Sequence, residues 1–400
     1  MQLLRGAIRT YAWGSRTAIA EFTGRPVPAA HPEAELWLGA NSGDPAFLEE
    51  PAGEVSLLQA VVTDPEGQLG AAARARFGDA LPFLLKVLAA DEPLSLQAHP
   101  SSEQAAEGYL REERLGIPVN SPVRNYRDSS HKPELLVALQ QFDVLAGFRP
   151  AAQTIELLRA LAVSDLDPFI DLLNDQSDAD GLRALFTTWI TAPQPDVDVL
   201  VTAVLDGAIN YLSSGATEFA AVAKTVLELG ERYPGDAGVL AALLLNRITL
   251  GPGEGIFLSA GNLHAYLRGV GLEVMANSDN VLRGGLTPKH VDVPELLKLT
   301  DPAVGVPVVE PRPLGGGVYV YDSPAPEFRL YRAELGLAEV TLPGSGARII
   351  LCVDGAATLH ARTGALKVGR GESCYLSAAD DAVTASGPAN LFIACSGLDS

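Results

Sequence analysis

Gly253-Glu254-Gly255-Ile256-Phe257-Leu258-Ser259-Ala260-Gly261-Asn262-Leu263-His264-Ala265-Tyr266 reads as a strand, a tight turn and a second strand. Its apolar runs are short and bracketed by glycine, which suits strands and leaves no room for a helix. Strand signals of this kind begin at Ile248 and continue to the end of the chain with few convincing helices. Further units are Gly346 to Val353, Ala356 to Ala361, Ala365 to Val368 and Gly371 to Leu376. Many short strands joined by Gly-rich turns fit a sandwich or a double-stranded β-helix barrel. Gly253-Glu254-Gly255, running on to Leu258-Ser259-Ala260, is echoed by Gly369-Arg370-Gly371, running on to Leu376-Ser377-Ala378. This weak internal repeat implies two related barrels. Leu314-Gly315-Gly316-Gly317 lies among prolines without a following helix or lysine, so it reads as a turn or linker and not as a phosphate loop.

Upstream, the character changes twice. To about Arg149, short apolar runs alternate with Gly, Pro and Asn turns. Leu81 to Leu88 reads as a buried strand, Leu94 to His99 as a half-buried one, and Ser101 to Leu115 as a short helix after Pro100. From Ala151 to Asn246 the spacing predicts helices at Thr154 to Leu161, Gly181 to Trp189, Val197 to Leu212 and Glu218 to Tyr233. Helices that interrupt a strand-rich chain suggest an inserted or separate helical domain.

The chain of 400 residues is longer than one core usually supports, so two or three domains are expected. With 47% hydrophobic and 20% charged residues it is globular. Its 29 basic and 49 acidic side chains leave a net charge of -20, which argues against nucleic acid or an anionic membrane as partner. A phosphorylated small molecule is still compatible, provided that a cleft gathers lysine and arginine locally. Cys352, Cys374 and Cys395 match no zinc ribbon or redox pair and read as small buried hydrophobes. The first residues lack the apolar core of a signal peptide, and the run Val239 to Leu245 is too short to cross a bilayer. A cytoplasmic protein is expected. No assembly motif is present, and a monomer is the default.

Six histidines occur in the chain, and His99, His131 and His264 fall in polar phrases. In Ser95-Leu96-Gln97-Ala98-His99-Pro100, Gln97 and His99 are two apart and would leave a strand by the same face. Glu134 of His131-Lys132-Pro133-Glu134 supplies an anionic oxygen, and His264 a second imidazole. An amide oxygen, a carboxylate and two imidazoles make a four-ligand site for a borderline divalent ion, for which zinc fits best. An isolated histidine is more often a hydrogen-bonded core or surface residue. That reading weakens when Gln97 shares the strand face of His99 and two more ligands lie in polar motifs. One carboxylate against Zn²⁺ leaves about +1, suited to holding or polarising ligand oxygens.

Taken together, these phrases resemble the type I mannose-6-phosphate isomerase (phosphomannose isomerase) family. The resemblance rests on Tyr11-Ala12-Trp13-Gly14-Ser15, Ala34-Glu35-Leu36-Trp37-Leu38-Gly39, Phe83 to Leu88, Leu94 to Pro100, His131 to Glu134, Gly261 to Tyr266 and Asn277 to Lys289, in that order. It implies a mainly β fold: cupin-type double-stranded β-helix barrels in two related β domains, plus an α-helical insertion. The implied domains are a catalytic one (1–149 and 247–310), a helical one (150–246) and a C-terminal β domain (311–400). The implied reaction is a zinc-dependent aldose–ketose isomerisation of D-mannose 6-phosphate and D-fructose 6-phosphate, with one Zn²⁺ per chain. The family's zinc ligands fall on Gln97, His99, Glu134 and His264, and its cleft residues on Lys132, Glu273, Arg283 and Lys289, with Ser95 and Lys86 on the same strands. Two departures are visible: Asn41-Ser42-Gly43-Asp44-Pro45 is altered, and Leu267 to Leu272 reads as the loop of the shorter bacterial forms.

Roles follow from chemistry. Lys86 stands inside an apolar run, a poor place for an unpaired ammonium, and Lys289 follows a turn from which a cation can reach a cleft. Phosphate recognition needs convergent cations and hydroxyls, and Ser95, Lys289 and Lys86 are the candidates. Arg283 and Lys132 would stabilise the charge of an enediol, and Glu273 or Lys132 would move the proton. Arg283 could serve either end of the sugar. Tyr266, two residues from His264, is the aromatic placed to touch a ligand. His131 would either orient Glu134 or serve the scaffold. The alternatives are an isomerase of another sugar and a non-catalytic cupin-like module, which would need no proton-transfer groups.

Overall fold

The computed structural model describes residues 1–50, 53–362, 364–380 and 382–398. The 13-residue strand His264–Ala276 organises the first of two antiparallel sheets. Its second half pairs with Phe83–Ala90 on one side and Glu134–Ala138 on the other. Its first half turns away to pair with Phe142–Phe148, and His264 faces Gln97 of the short strand Leu96–Ala98. Glu35–Gly39 and Ala7–Arg9 continue the sheet past Phe83–Ala90, while Gly255–Leu258 and Val308–Val309 continue it past Glu134–Ala138.

A bulge between Tyr266 and Arg268 separates the two halves of the long strand. Side chains alternate faces along a strand, so one extra residue reverses the alternation. His264 and Tyr266 before the bulge therefore come to the same side as Glu273 and Met275 after it. Tyr266, Glu273 and Met275 line one cleft with Lys86, Glu35, Trp37 and Glu134 from the neighbouring strands. The opposite face is apolar throughout. Leu85, Val87, Leu135, Val137, Leu272 and Val274 pack there against Ile349, Leu351, Tyr375 and Phe392 of the second sheet. Each such fully buried aliphatic side chain contributes about 1.5–3 kcal/mol, which holds the sheets face to face.

The second sheet runs Arg312–Gly315, Val318–Tyr321, Arg329–Leu335, Ala389–Cys395, Arg348–Ala361, Ser373–Leu376 and then Gln2–Arg5, Phe47–Glu50 and Gly53–Ser56. The start of the chain thus completes the sheet formed by its end. Cys352, Cys374 and Cys395 are buried and free, as the sequence predicts.

The helices Ala151–Ala160, Asp167–Asp175, Ala179–Ile190, Gln194–Ser213, Ala220–Arg232 and Gly238–Leu243 lie between Phe142–Phe148 and Leu245–Leu250. Those two strands pair with each other, so the helical run leaves and returns at one hairpin. Leu157, Leu185, Trp189, Val204 and Leu229 form its core and pack on Leu96, Ala98, Leu263 and Leu282. That contact backs the segments from which Gln97, His264 and Arg283 project. Among the described residues, no helix is long and apolar enough to cross a membrane.

Several local expectations change. Leu267 to Leu272 is no loop but the middle of His264–Ala276, because pairing on both sides overrides its two glycines. Gly346 to Val353 and Ala356 to Ala361 fuse into one strand, Arg348–Ala361, which carries an irregularity between Cys352 and Asp354 in place of a turn. The strand expected over Leu94 to His99 is only Leu96–Ala98. The helix expected from Ser101 is Ser102–Arg114, started by a capping box in which Ser101 and Gln104 satisfy each other's backbone N–H. Helices Ala18–Phe22, Leu57–Thr63, Pro65–Leu69, Ala71–Phe77, Asp167–Asp175 and Val293–Leu299 carry no pattern long enough to be read in advance.

Candidate active site

His99, Glu134 and His264 are buried polar residues, with relative exposures of 1%, 2% and 0%, and Glu134 lines the cleft. They come from three places: His99 just past Leu96–Ala98, Glu134 at the start of Glu134–Ala138, and His264 at the start of the long strand. Glu134 Oε1 lies 3.4 Å from His99 Nε2, and Oε2 lies 3.6 Å from His264 Nε2. His99 Nδ1 is 2.8 Å from the Asn280 carbonyl and His264 Nδ1 is 3.3 Å from that of Asn262. A carbonyl only accepts, so both Nδ1 atoms carry a proton, and in the neutral tautomer that this fixes Nε2 is the atom with the lone pair. His99 Nε2, His264 Nε2 and Glu134 Oε2 are buried without a hydrogen-bond partner. Three orphaned acceptors at one point are unfavourable unless a cation joins them. The ligand atoms lie within 4.8 Å of one another, and the donor set suits a divalent ion.

Electrostatics agree. Burial pushes the His99 imidazolium down to about 4 even with Glu134 beside it, so the ring is neutral and free to ligate. Burial opposes the Glu134 charge, while the Lys132 ammonium 3.2 Å away favours it, and the carboxyl is held well below its usual range. Gln97, directly across from His264, lines the same cleft. His131 does not orient Glu134. Its Nε2 meets Glu327 Oε1 at 2.8 Å, a scaffold contact with the C-terminal region.

Next to this cluster, register builds a charged row. Lys86 sits between Glu273 on one neighbouring strand and Trp37 on the other. Its ammonium is 3.0 Å from Glu273 Oε2, 3.6 Å from Glu35 Oε1 and 5.3 Å from the Trp37 ring. The Tyr266 hydroxyl donates to Glu273 Oε1 at 2.7 Å. Burial works against the Lys86 charge, yet Glu273, Glu35 and Glu134 hold its pKa above the ordinary lysine value. Burial raises the Glu273 pKa, with Lys86 pulling the other way. Burial and the Glu273 charge raise Tyr266 well above its usual value. Lys86 is thus neutralised inside the cleft and is not a free cation.

Cations without an ion pair among the described residues stand nearer the mouth. Arg283, Lys289 and Arg127 line the cleft with Ser95, and its volume is about 730 Å³. Burial and then the Arg127 charge depress the Arg283 pKa; burial, Arg283 and Arg127 depress that of Lys289. Three like charges this close call for an anion. Arg127 was not legible beforehand, because the loop that bears it matches no motif.

The fold and site define a protein with a candidate metal centre beside a cleft that receives an anion, and comparison with known proteins narrows the class. A profile of the phosphomannose isomerase type I catalytic domain matches residues 1–151. The mannose-6-phosphate isomerase of Escherichia coli (strain K12) is 38% identical over 98% of each chain. That of Homo sapiens is 32% identical over 88% of this chain and 85% of its own. A crystal structure of mannose 6-phosphate isomerase from Salmonella typhimurium bound to fructose 6-phosphate and zinc superposes with a TM-score of 0.90, at 36% identity and full coverage of both chains. The chain belongs to the type I mannose-6-phosphate isomerase family.

Proposed function

We propose that this enzyme interconverts D-mannose 6-phosphate and D-fructose 6-phosphate through an enediol, with one zinc ion per chain held by Gln97, His99, Glu134 and His264. The observation that carries the reading is the trio of buried, unpartnered ligand atoms, one of them on Glu134 of a cleft that is also lined by Arg127, Arg283 and Lys289. The relative that binds fructose 6-phosphate and zinc, at 36% identity over the whole chain, supports it. Zinc would supply a fixed positive charge that holds and polarises sugar oxygens.

In this reading Lys289, Ser95 and Arg127 bind the phosphate, and Arg283 lies between the phosphate and the reacting carbons. Lys86, expected at the phosphate, is engaged by Glu273 and Glu35 and instead sets the charge of Glu273. Glu273 removes the C2 proton of the open-chain aldose while the C1 oxygen gains a proton, which gives the enediol. Protonation at C1 and loss of the C2 hydroxyl proton then give the ketose. Burial lifts Glu273 toward the range a base needs at neutral pH. Arg283 and Lys132 stabilise the charge that develops on the oxygens. The two sheets read as cupin-type double-stranded β-helix barrels, with catalytic residues from 1–149 and 247–310, a helical insertion at 150–246 and a C-terminal barrel at 311–400. The enzyme works as a cytoplasmic monomer.

The test is a coupled assay for fructose 6-phosphate on protein stripped by a chelator and reloaded with zinc. Activity should vanish and return, with about one zinc per chain by elemental analysis. Full turnover by stripped protein free of divalent metal would overturn the metal reading. Equal kcat/KM for free mannose and mannose 6-phosphate would overturn the substrate.

A further inference from the structure

Asn280 belongs to none of the roles above, yet it is fully buried between the metal-ligand cluster and the cationic mouth, with 0% exposure. Its carbonyl accepts from His99 Nδ1 at 2.8 Å, the bond that turns His99 Nε2 toward Glu134. Its side chain holds a different segment. Asn280 Oδ1 accepts from the backbone N–H of Arg127 at 2.7 Å and of Asp128 at 3.2 Å. Asn280 Nδ2 donates to the carbonyls of Asp128 at 2.8 Å and Ser130 at 2.9 Å. The same segment is tied back a second time, because Asp128 accepts from the Ser278 hydroxyl at 2.9 Å and from the Asp279 N–H at 2.8 Å. A short step along the chain from Asn280 lies Arg283, and a short step along from Ser130 lie Lys132 and Glu134.

One amide therefore meets two donors and two acceptors of a loop that has no secondary structure of its own, while its own peptide orients an imidazole. A buried side-chain amide with all its hydrogen-bonding capacity used is rigid, since each bond it would lose leaves an unsatisfied group. The residue spans the two ends of the cleft. We propose that Asn280 is a positioning residue that couples them, keeping His99 and the Arg127 segment in one fixed relation so that metal and sugar phosphate are held at matched places. The inference rests on the functional reading above.

Asn280→Ala removes the side-chain bonds and leaves the carbonyl, so a purely local role would disturb only the loop. Coupling instead predicts that zinc affinity also falls, although no ligand has changed. Chelator competition should show the zinc dissociation constant of Asn280→Ala rising roughly ten- to a hundredfold. Inorganic phosphate, used as a competitive inhibitor, should weaken by roughly tenfold in the same variant. Arg127→Ala is the control that separates the ends: it should weaken phosphate comparably and leave zinc affinity as in the parent. If Asn280→Ala does not fold by circular dichroism, Asp128→Ala, which cuts the second tie, carries the same expectation of a joint loss. Loss of phosphate affinity alone in the folded variants, or no change in either constant, would overturn the coupling. A parent protein that binds no zinc would instead overturn the functional reading.

Discussion

Both sheets are antiparallel, and their interiors are filled oppositely. In the C-terminal sheet, Ile350, Cys352, Leu359, Val368, Cys374, Leu376 and Ile393 close the inner face into an apolar core. In the first sheet the corresponding space begins as apolar packing of Leu136, Phe142, Val144, Ile256 and Leu258 and ends in Lys86, Glu134, Tyr266 and Glu273. The interior side of an antiparallel sheet can thus be an apolar core or a polar cleft. The difference lies in whether polar side chains arrive in sets that satisfy one another. Lys86 with Glu273, Glu35 and Trp37 is such a set, and the imidazole pair with Glu134 is one that a cation would complete. The three thiols of the C-terminal interior stay protonated, with burial raising Cys374 to about 12.

The sharpest way to break this comparison is His264→Ala. Loss of one imidazole from a buried site should abolish stoichiometric zinc and lower kcat/KM by on the order of a thousandfold or more, read by elemental analysis and the coupled assay. Retained zinc and activity would mean that the chamber does not work through the metal cluster.

Glu273→Gln keeps the shape but removes the carboxylate charge, and kcat should fall by roughly 10²–10⁴-fold with zinc retained. Lys86→Met probes the same pair through pH. Lys86 pulls the raised Glu273 pKa down, so its removal lets that pKa rise further. A base acts when deprotonated, so the acid limb of the kcat/KM profile should move to higher pH. An unmoved or downward-shifted limb would take the base role from Glu273. Solvent exchange of the C2 proton that is normal in Glu273→Gln but absent in Lys132→Met would give the role to Lys132.

A smaller effect is expected at the mouth. Lys289→Ala should raise KM roughly ten- to a hundredfold with little change in kcat, because it removes one charge-assisted contact to a group far from the chemistry. An unchanged KM with collapsed kcat would place Lys289 at the reacting carbons. The smallest catalytic effect belongs to Cys374→Ser in the filled interior. Burying a hydroxyl there should destabilise the fold by about 1–3 kcal/mol in denaturant titration and leave kcat/KM and zinc content unchanged. A catalytic loss in a folded Cys374→Ser protein would show that the two interiors are not independent.

Much of the site was legible because its chemistry requires rare residue types in polar phrases. Gln97, His99, Glu134, Lys132 and His264 stand out in a chain with six histidines and few cations. Lys86 was legible as a polar interruption of an apolar run and Glu273 only through the family resemblance, but not as partners, since 187 positions separate them. Arg127 and Asn280 were missed as functional residues for the same reason: their roles lie in contacts between distant segments, across 153 positions. The helical run was read well at Gln194–Ser213 and Ala220–Arg232, where length let the period show, and poorly in short helices.

By itself the sequence determined the residue types of the metal cluster, the β character of both ends, the helical middle and the apolar fate of the cysteines. Those follow from local periodicity and from the chemistry of single side chains, which need no partner to be recognised. Only the tertiary structure decided which faces they share. The bulge after Tyr266 brings Glu273 round to the side of His264, and pairing on both edges makes Leu267 to Leu272 a strand. The first strand, Gln2–Arg5, joins a sheet formed by the last residues of the chain. Strand register and pairing are set by long-range hydrogen bonds and by burial of whole faces, and neither is encoded in any one window of sequence.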